Sequence, residues 1–300
     1  MQTGDTMTPR KARSDEGSVE AWRHVWSSLT TEEEECLYTP SEPQTLRQFW
    51  QRSYFEDLWR LMSVTASGAR YCELGSGRGT TSTYLRSKQC DVTMVDLSEE
   101  AFRVAALNFD RLRFERPHMV CADVRCTGLA SASFDCVFSI GLLEHFSDPK
   151  PVLKETLRLL RPGGLAFAVI VPSKSILRTA HVRVLNPPRL IYNVGMEMSA
   201  RLGQKLRPVD ATSSDMTRTT YDCGQWAAWA SELGACDVEC CFYNPYPSIY
   251  RSPKLERLIT LPLYRAHVRA RECRHVTPTL MCREHVSMAQ LLTFRSGHQR

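Results

Sequence analysis

The chain has 300 residues, 43% of them hydrophobic and 24% charged, with a formal charge of +5. That is enough apolar material for one large domain or a core domain with an accessory part. Collagen-like, low-complexity and disulfide-scaffold classes are excluded, because the 15 glycines, 16 prolines and 12 cysteines are dispersed and no short repeat recurs.

Residues 1–18 are polar and of mixed charge, without the apolar stretch a signal peptide needs, and read as a flexible tail. The segment 19–67 reads as a helical cover. Ala21 to Leu29 makes a short helix, and Leu46, Phe49, Trp50, Tyr54, Leu58, Leu61 and Met62 keep a 3.6-residue apolar period. Arg47, Arg52, Glu56, Asp57 and Arg60 fall on the other side of that second helix, where solvent is expected.

From residue 68 to 172 the rhythm changes to short apolar runs alternating with helical stretches. Strands are expected at 69–74, 91–96, 118–122, 134–140 and 165–171, and helices at 79–88, 98–109 and 149–161. This is the α/β pattern of βαβ units and a parallel sheet. Asp148-Pro149 supplies an N-cap and a first-turn proline for the last of these helices, and Pro162-Gly163-Gly164 stops it. The longest clean apolar run, Leu165 to Val171, falls far short of the roughly 18 to 20 residues of a spanning helix.

Beyond Pro172 the pattern loosens. In 173–220 the stripe Leu190, Ile191, Val194, Met198 and Leu202 predicts a lid-like helix. The rest, 221–300, reads as a helix at 223–233, a strand at 236–243, a basic helical insertion within 248–284 and a last strand at 286–295. Positive charge concentrates late: residues 174–220 carry 8 basic and 3 acidic side chains, and 248–300 carry 10 and 3. Arginine dominates there, which suits planar anions, acidic surfaces or a solvated face. The cysteines form no CxxC pair, so they are expected to be structural in an intracellular, reducing compartment, the cytoplasm, and no metal is expected.

The chemistry gathers in the first half of the α/β segment. A strand ends in Glu73-Leu74-Gly75-Ser76-Gly77-Arg78-Gly79 and runs directly into a helix, where glycines permit a tight turn and close approach of a ligand to free N–H groups. Asp96 ends the second strand, placed to accept from a ribose diol. To this point a nicotinamide dinucleotide fits nearly as well. Two features favour a nucleoside that carries a cation: Thr80 stands where the dinucleotide fingerprint needs its third glycine, and a further acidic residue, Asp123, ends the third strand.

On ELGSGRG (73–79), VDLS (95–98), AD (122–123), FDCVFSIGLLEHFSDP (134–149) and LRPGGLAFAVIVP (160–172), the chain resembles the class I S-adenosylmethionine-dependent methyltransferases, most of all the small-molecule, quinone-biosynthesis-like type 11 branch. The close resemblance covers about residues 68–173. It implies a Rossmann-like seven-stranded sheet, parallel except for its last strand, with helices on both faces. It implies S-adenosylmethionine as cofactor and a small-molecule acceptor. It further implies that Glu73, Gly75, Ser76, Gly77 and Gly79 hold the methionine end, Asp96 the ribose and Leu97 the adenine side. Asp123 would meet the adenine amine, Val124 the ring and the Ile140 region the ammonium group. The stretch between Asp123 and Phe134 departs from the family's apolar-Pro-Phe turn, so the outer wall of the adenine pocket is left open.

Methyl transfer from a sulfonium needs a nucleophile held in line and one proton managed. His145, just past the fourth strand, is the residue expected to orient the acceptor or act as base. Glu144, Tyr192, Tyr221 and His181 are weaker candidates in or near the lid. Three other readings stand beside this one. A nucleic-acid methyltransferase ranks behind, since Ile140-Gly141-Leu142-Leu143 stands where base-amine enzymes resemble one another in an Asn/Asp-Pro-Pro-aromatic tetrad. A non-catalytic cofactor-binding protein is the second. In the third, peripheral membrane contact through 189–207 and 253–271 presents a lipid-like acceptor. Lipid-like or anionic acceptors are placed ahead of nucleic acid.

Overall fold

The computed structural model describes residues 46–62, 69–171, 221–243 and 289–297, with further helical positions at 262, 265–266, 269–270 and 273. The expected helices at 21–29 and 190–202 lie outside the described residues. In chain order the elements are α1 (Leu46–Met62), β1 (Arg70–Leu74), α2 (Thr80–Ser87), β2 (Asp91–Asp96), α3 (Glu99–Arg111), β3 (His118–Cys121), β4 (Phe134–Ile140), a 3-10 turn (Leu143–His145), α4 (Lys150–Leu159), β5 (Leu160–Ile170), α5 (Cys223–Glu232), β6 (Ala235–Tyr243) and β7 (Ala289–Ser296).

The strands make one seven-stranded sheet in the order β3-β2-β1-β4-β5-β7-β6. β1 to β5 are parallel neighbours, and β7 runs antiparallel to both β5 and β6. The expected α/β sheet, parallel except for its last strand, is therefore present. The strand order reverses between β1 and β4, since the chain first builds outward through β2 and β3 and then returns to β1's other side. In such sheets ligands bind at the strands' carboxyl ends beside that reversal.

Side chains alternate across the sheet with the period of two that a strand imposes. Tyr71, Met94, Phe138, Phe167 and Leu291 face one side and pack with Tyr54, Phe55 and Leu58 of α1, Leu85 of α2 and Phe109 of α3. Cys72, Leu74, Val95, Val137, Ala166 and Leu292 face the other, against Val152 and Leu153 of α4 and Trp226 and Ala230 of α5. Cys72 and Cys136 are fully buried and serve as small hydrophobes, in line with the structural role expected of the cysteines, and Trp226 is core. Among the described residues no helix is long and apolar enough to cross a membrane.

Three local expectations are corrected. Asp57 does not face solvent: it is fully buried and accepts a 2.9 Å hydrogen bond from the Tyr243 hydroxyl of β6, a partner 186 residues away. α4 ends at Leu159 rather than 161, because Leu160 already pairs with Phe134. A register shift then carries β5 through Pro162-Gly163-Gly164 before Leu165 pairs with Cys136. Finally, Pro149 rather than Asp148 occupies the cap position of α4, and Asp148 contributes through Oδ1, which accepts from the Lys150 N–H at 3.1 Å.

Candidate functional site

The turn after β1 is held by main-chain bonds. The N–H groups of Gly75 and Ser76 both donate to the Val95 carbonyl of β2, at 2.8 and 3.1 Å, and the Gly79 N–H donates to the Ser76 carbonyl at 2.9 Å. Gly75, Gly77 and Gly79 have φ of +66°, +51° and +66°, the left-handed region that side chains disfavour. Gly75 also has no room for a side chain, since a Cβ there would lie 2.6 Å from Leu142 Cδ1. Leu142 belongs to the turn after β4, so this contact joins the two loops that flank the reversal between β1 and β4.

Two buried carboxylates brace the loop. Asp96, 8% exposed at the end of β2, accepts from the Gly77 N–H through Oδ2 at 2.7 Å and from the Ser98 N–H through Oδ1 at 3.0 Å. Burial raises its pKa against the pull of those N–H groups. Each oxygen keeps a lone pair for a further donor. Glu73, 4% exposed on β1, accepts from the N–H of Ser82 at 3.1 Å and from its hydroxyl, both on Oε2. Burial, partly offset by Ser82 and reinforced by the charge of Asp96, pushes the Glu73 carboxyl up to about 8. The strand's alternation sets this, because Tyr71 and Glu73 point to the face that α1 and α2 cover.

Asp123 stands apart from this pair, in the loop beyond β3, and is half-buried. The Arg125 guanidinium grips it, Nε to Oδ1 at 3.0 Å and Nη2 to Oδ2 at 2.6 Å, and this holds its carboxyl below the usual range. Arg125 also lies 6.0 Å from the centre of the Phe146 ring. The divergent stretch after Asp123 is built differently from the apolar turn it replaces: Thr127 donates its N–H and hydroxyl to Glu155 of α4 at 2.8 and 2.7 Å. Val124 is buried, while Leu97 and Ile140 are half-buried.

After β4 the chain turns through Gly141 (φ +71°) into the 3-10 turn, where Glu144 is 1% and His145 is 6% exposed. Tyr221 ties this loop to the start of α5, its hydroxyl donating to the Ser147 carbonyl at 2.6 Å and its ring packing edge-on against Trp226 and Trp229. Tyr192 and His181 lie outside the described residues. The structure thus unites Glu73, the glycine loop, Asp96 and the turn after β4, and leaves Asp123 one strand further out with a partner of its own. Sequence reasoning missed Tyr54 of α1, which the fold buries over this site; only its place in the apolar stripe marked it.

A nucleoside with a cationic centre is tested by the polar groups present. Ser76 Oγ is buried in the loop and has no hydrogen-bond partner among the described residues. A buried hydroxyl of that kind calls for a ligand group. With Asp96 able to accept two hydroxyls and Glu73 favouring a nearby positive charge, the residues fit such a molecule.

Comparison with known proteins agrees. Residues 72–168 match the methyltransferase domain family Methyltransf_11. The malonyl-(acyl-carrier protein) O-methyltransferase of Enterobacter lignolyticus is 37% identical over 103 residues, 34% of this chain and 39% of that relative. The ubiquinone biosynthesis O-methyltransferase of Idiomarina loihiensis is 32% identical over 100 residues, 33% and 41% of the two chains. The chain therefore spans about two-fifths of the length of these curated relatives. Phosphoethanolamine N-methyltransferase 2 of Haemonchus contortus, solved in complex with S-adenosyl-L-methionine, shares the fold, with a TM-score of 0.52 at 15% identity over 96% of this chain and 59% of that one. The fold of this chain is thus that of a solved methyltransferase, and the stretch that matches the Methyltransf_11 methyltransferase domain is residues 72–168.

Proposed function

We propose that the protein binds S-adenosylmethionine and transfers its methyl group to a small-molecule acceptor. The observation that carries this reading is the braced glycine loop: Asp96 holds Gly77, Glu73 holds Ser82 in the helix that follows, and Ser76 Oγ between Gly75 and Gly77 is a buried hydroxyl with no partner among the described residues. Glu73, Gly75, Ser76, Gly77 and Gly79 hold the methionine end, and Asp96 accepts from the ribose hydroxyls. Leu97, Val124 and the Ile140 region line the adenine and ammonium positions. Asp123 reaches the adenine amine while Arg125 keeps it ionised. When bound, S-adenosylmethionine supplies a methyl group already activated by its sulfonium. The chain's part is to exclude water, hold the acceptor in line and manage its proton.

His145 orients the acceptor from the turn after β4, and Tyr221 holds that turn in place. Acceptor choice belongs to 173–220 and 248–284, whose basic character suits a lipid-like or anionic molecule, or one presented at a membrane surface. A cytoplasmic site of action is part of the proposal, supported by the ten free cysteines among the described residues. Calorimetric titration tests it. Binding of S-adenosylmethionine in the micromolar range with no binding of NAD is expected, and tight NAD binding in its place overturns it.

A further inference from the structure

Glu144 is the least exposed acidic side chain of the turn after β4, at 1%, and it has a defined place. Its Oε1 lies 3.6 Å from where a Cβ of Gly141 would be, so the carboxylate folds back over the end of β4. β4 pairs with β1 up to Leu74 and Ser139, which sets that end beside the start of the glycine loop. Glu73 points from β1 to the face that α1 packs on, and Tyr54 of α1, 8% exposed, is buried on that face. Its hydroxyl pKa is raised, first by burial and then by the charges of Glu144 and Glu73, so both carboxylates are near neighbours of that hydroxyl. Tyr54 is fixed in turn by its ring against Tyr243, 5.7 Å centre to centre, while the Tyr243 hydroxyl is bonded to Asp57 one turn along α1. A carboxylate buried to 1% at the end of β4, next to the strand that leads into the glycine loop, is not a solvated surface charge.

We propose that Glu144 stands at the methyl-transfer point, where its carboxylate accepts the acceptor's proton, with Tyr54 of α1 as the positioning residue that walls it in. The inference rests on the reading of the site as one for S-adenosylmethionine. The balance is simple: the acceptor's nucleophile bonds to the methyl carbon, the carbon–sulfur bond breaks with its pair on sulfur, and the acceptor's proton passes to a Glu144 oxygen. It also names the acceptor class. A nucleophile that brings a proton, a hydroxyl or an amine, suits a pocket lined by Glu73 and Glu144, whereas a free carboxylate would enter against two acidic side chains. The anionic character of the acceptor, if present, then sits away from the reacting atom, toward the basic segments.

The position of Glu144 is tested by binding alone, with no acceptor. Sinefungin carries an ammonium group where S-adenosylmethionine carries its methylated sulfonium, and S-adenosylhomocysteine is neutral there. Calorimetry on the full chain should show the wild type preferring sinefungin to S-adenosylhomocysteine. Glu144→Gln should cut that preference about tenfold or more, the effect of losing a charge-assisted contact, while S-adenosylhomocysteine affinity changes less than about twofold. Glu144→Asp, which keeps the charge but draws it back, should retain part of the preference. An unchanged preference in Glu144→Gln overturns the placement. Equal losses for both ligands in both variants make Glu144 structural and overturn it too. Absence of any binding by the wild type overturns the proposed function itself, and this inference with it.

Discussion

Replacing Glu73 by Gln should stabilise the ligand-free protein, and increasingly so as pH rises. The folded carboxyl has its pKa near 8 because burial disfavours its charge, whereas in the unfolded chain it titrates near 4.5. Between those values the native state keeps a proton that the unfolded state has released, so raising the pH favours unfolding. Each unit of displacement is worth about 1.4 kcal/mol, so the cost grows from nothing at about pH 4.5 to about 3 kcal/mol at pH 7 and levels off above the folded pKa. Gln has no such titration and can still accept from Ser82, although the exchange gives up a contact worth about 1 kcal/mol. Urea denaturation of both proteins, followed by circular dichroism from pH 5 to 8, reads the difference directly, because every other group titrates alike in the two. The variant's advantage should widen by about 1.4 kcal/mol per pH unit, starting near or below zero at pH 5. An advantage that stays flat or shrinks with rising pH would falsify the assignment of a buried, protonated Glu73. Glu73→Gln should nevertheless bind S-adenosylmethionine more weakly, since that group suits a ligand's cation and not the empty fold.

The same residue should report on binding. At pH 7 the wild type should release up to one proton on taking up S-adenosylmethionine, seen as a dependence of calorimetric enthalpy on the buffer's ionisation enthalpy, and Glu73→Gln should abolish it. Asp96→Ala should weaken S-adenosylmethionine binding at least about tenfold by removing charge-assisted acceptors for the ribose, and calorimetry giving an unchanged affinity removes Asp96 from the site. Gly75→Ala places a Cβ 2.6 Å from Leu142 at φ +66°; a loss of about 1 to 2 kcal/mol or more is expected in chemical denaturation, and a neutral result contradicts the tight joint between the two loops. His145→Ala, assayed with a labelled methyl donor once an acceptor is in hand, should lower kcat about 100-fold, the cost of a misplaced acceptor, with cofactor affinity unchanged; a kcat within a small factor of wild type makes the ring a packing element.

Much of this site was legible because its parts are close in sequence. The glycine loop follows its strand directly, and Gly75, Gly77 and Gly79 take up the left-handed backbone their residue type permits. Asp96 had to end the second strand, since the apolar run of β2 stops there and Ser98 caps the next helix through the Ala101 N–H at 3.3 Å. Residues whose neighbours come from afar were not legible. The stripe that places Tyr54 inward cannot show which strand it meets, and Asp57, beside Arg60 on the same helix, is nevertheless buried because Tyr243 supplies a hydroxyl from β6.

Apolar period, glycine placement and helix caps act over a few residues, so the α/β class, the approximate position of each core strand and the glycine turn after β1 were legible in the chain alone. Tertiary structure alone decided how the carboxylates differ. Glu73 lies under α1 and α2, where burial raises its pKa, while Asp123 emerges at the sheet's edge, where Arg125 lowers it. Both are single acidic residues near strand ends in the sequence. Their protonation depends on the dielectric and the charges around them, and those are set by which distant elements the fold stacks above each strand.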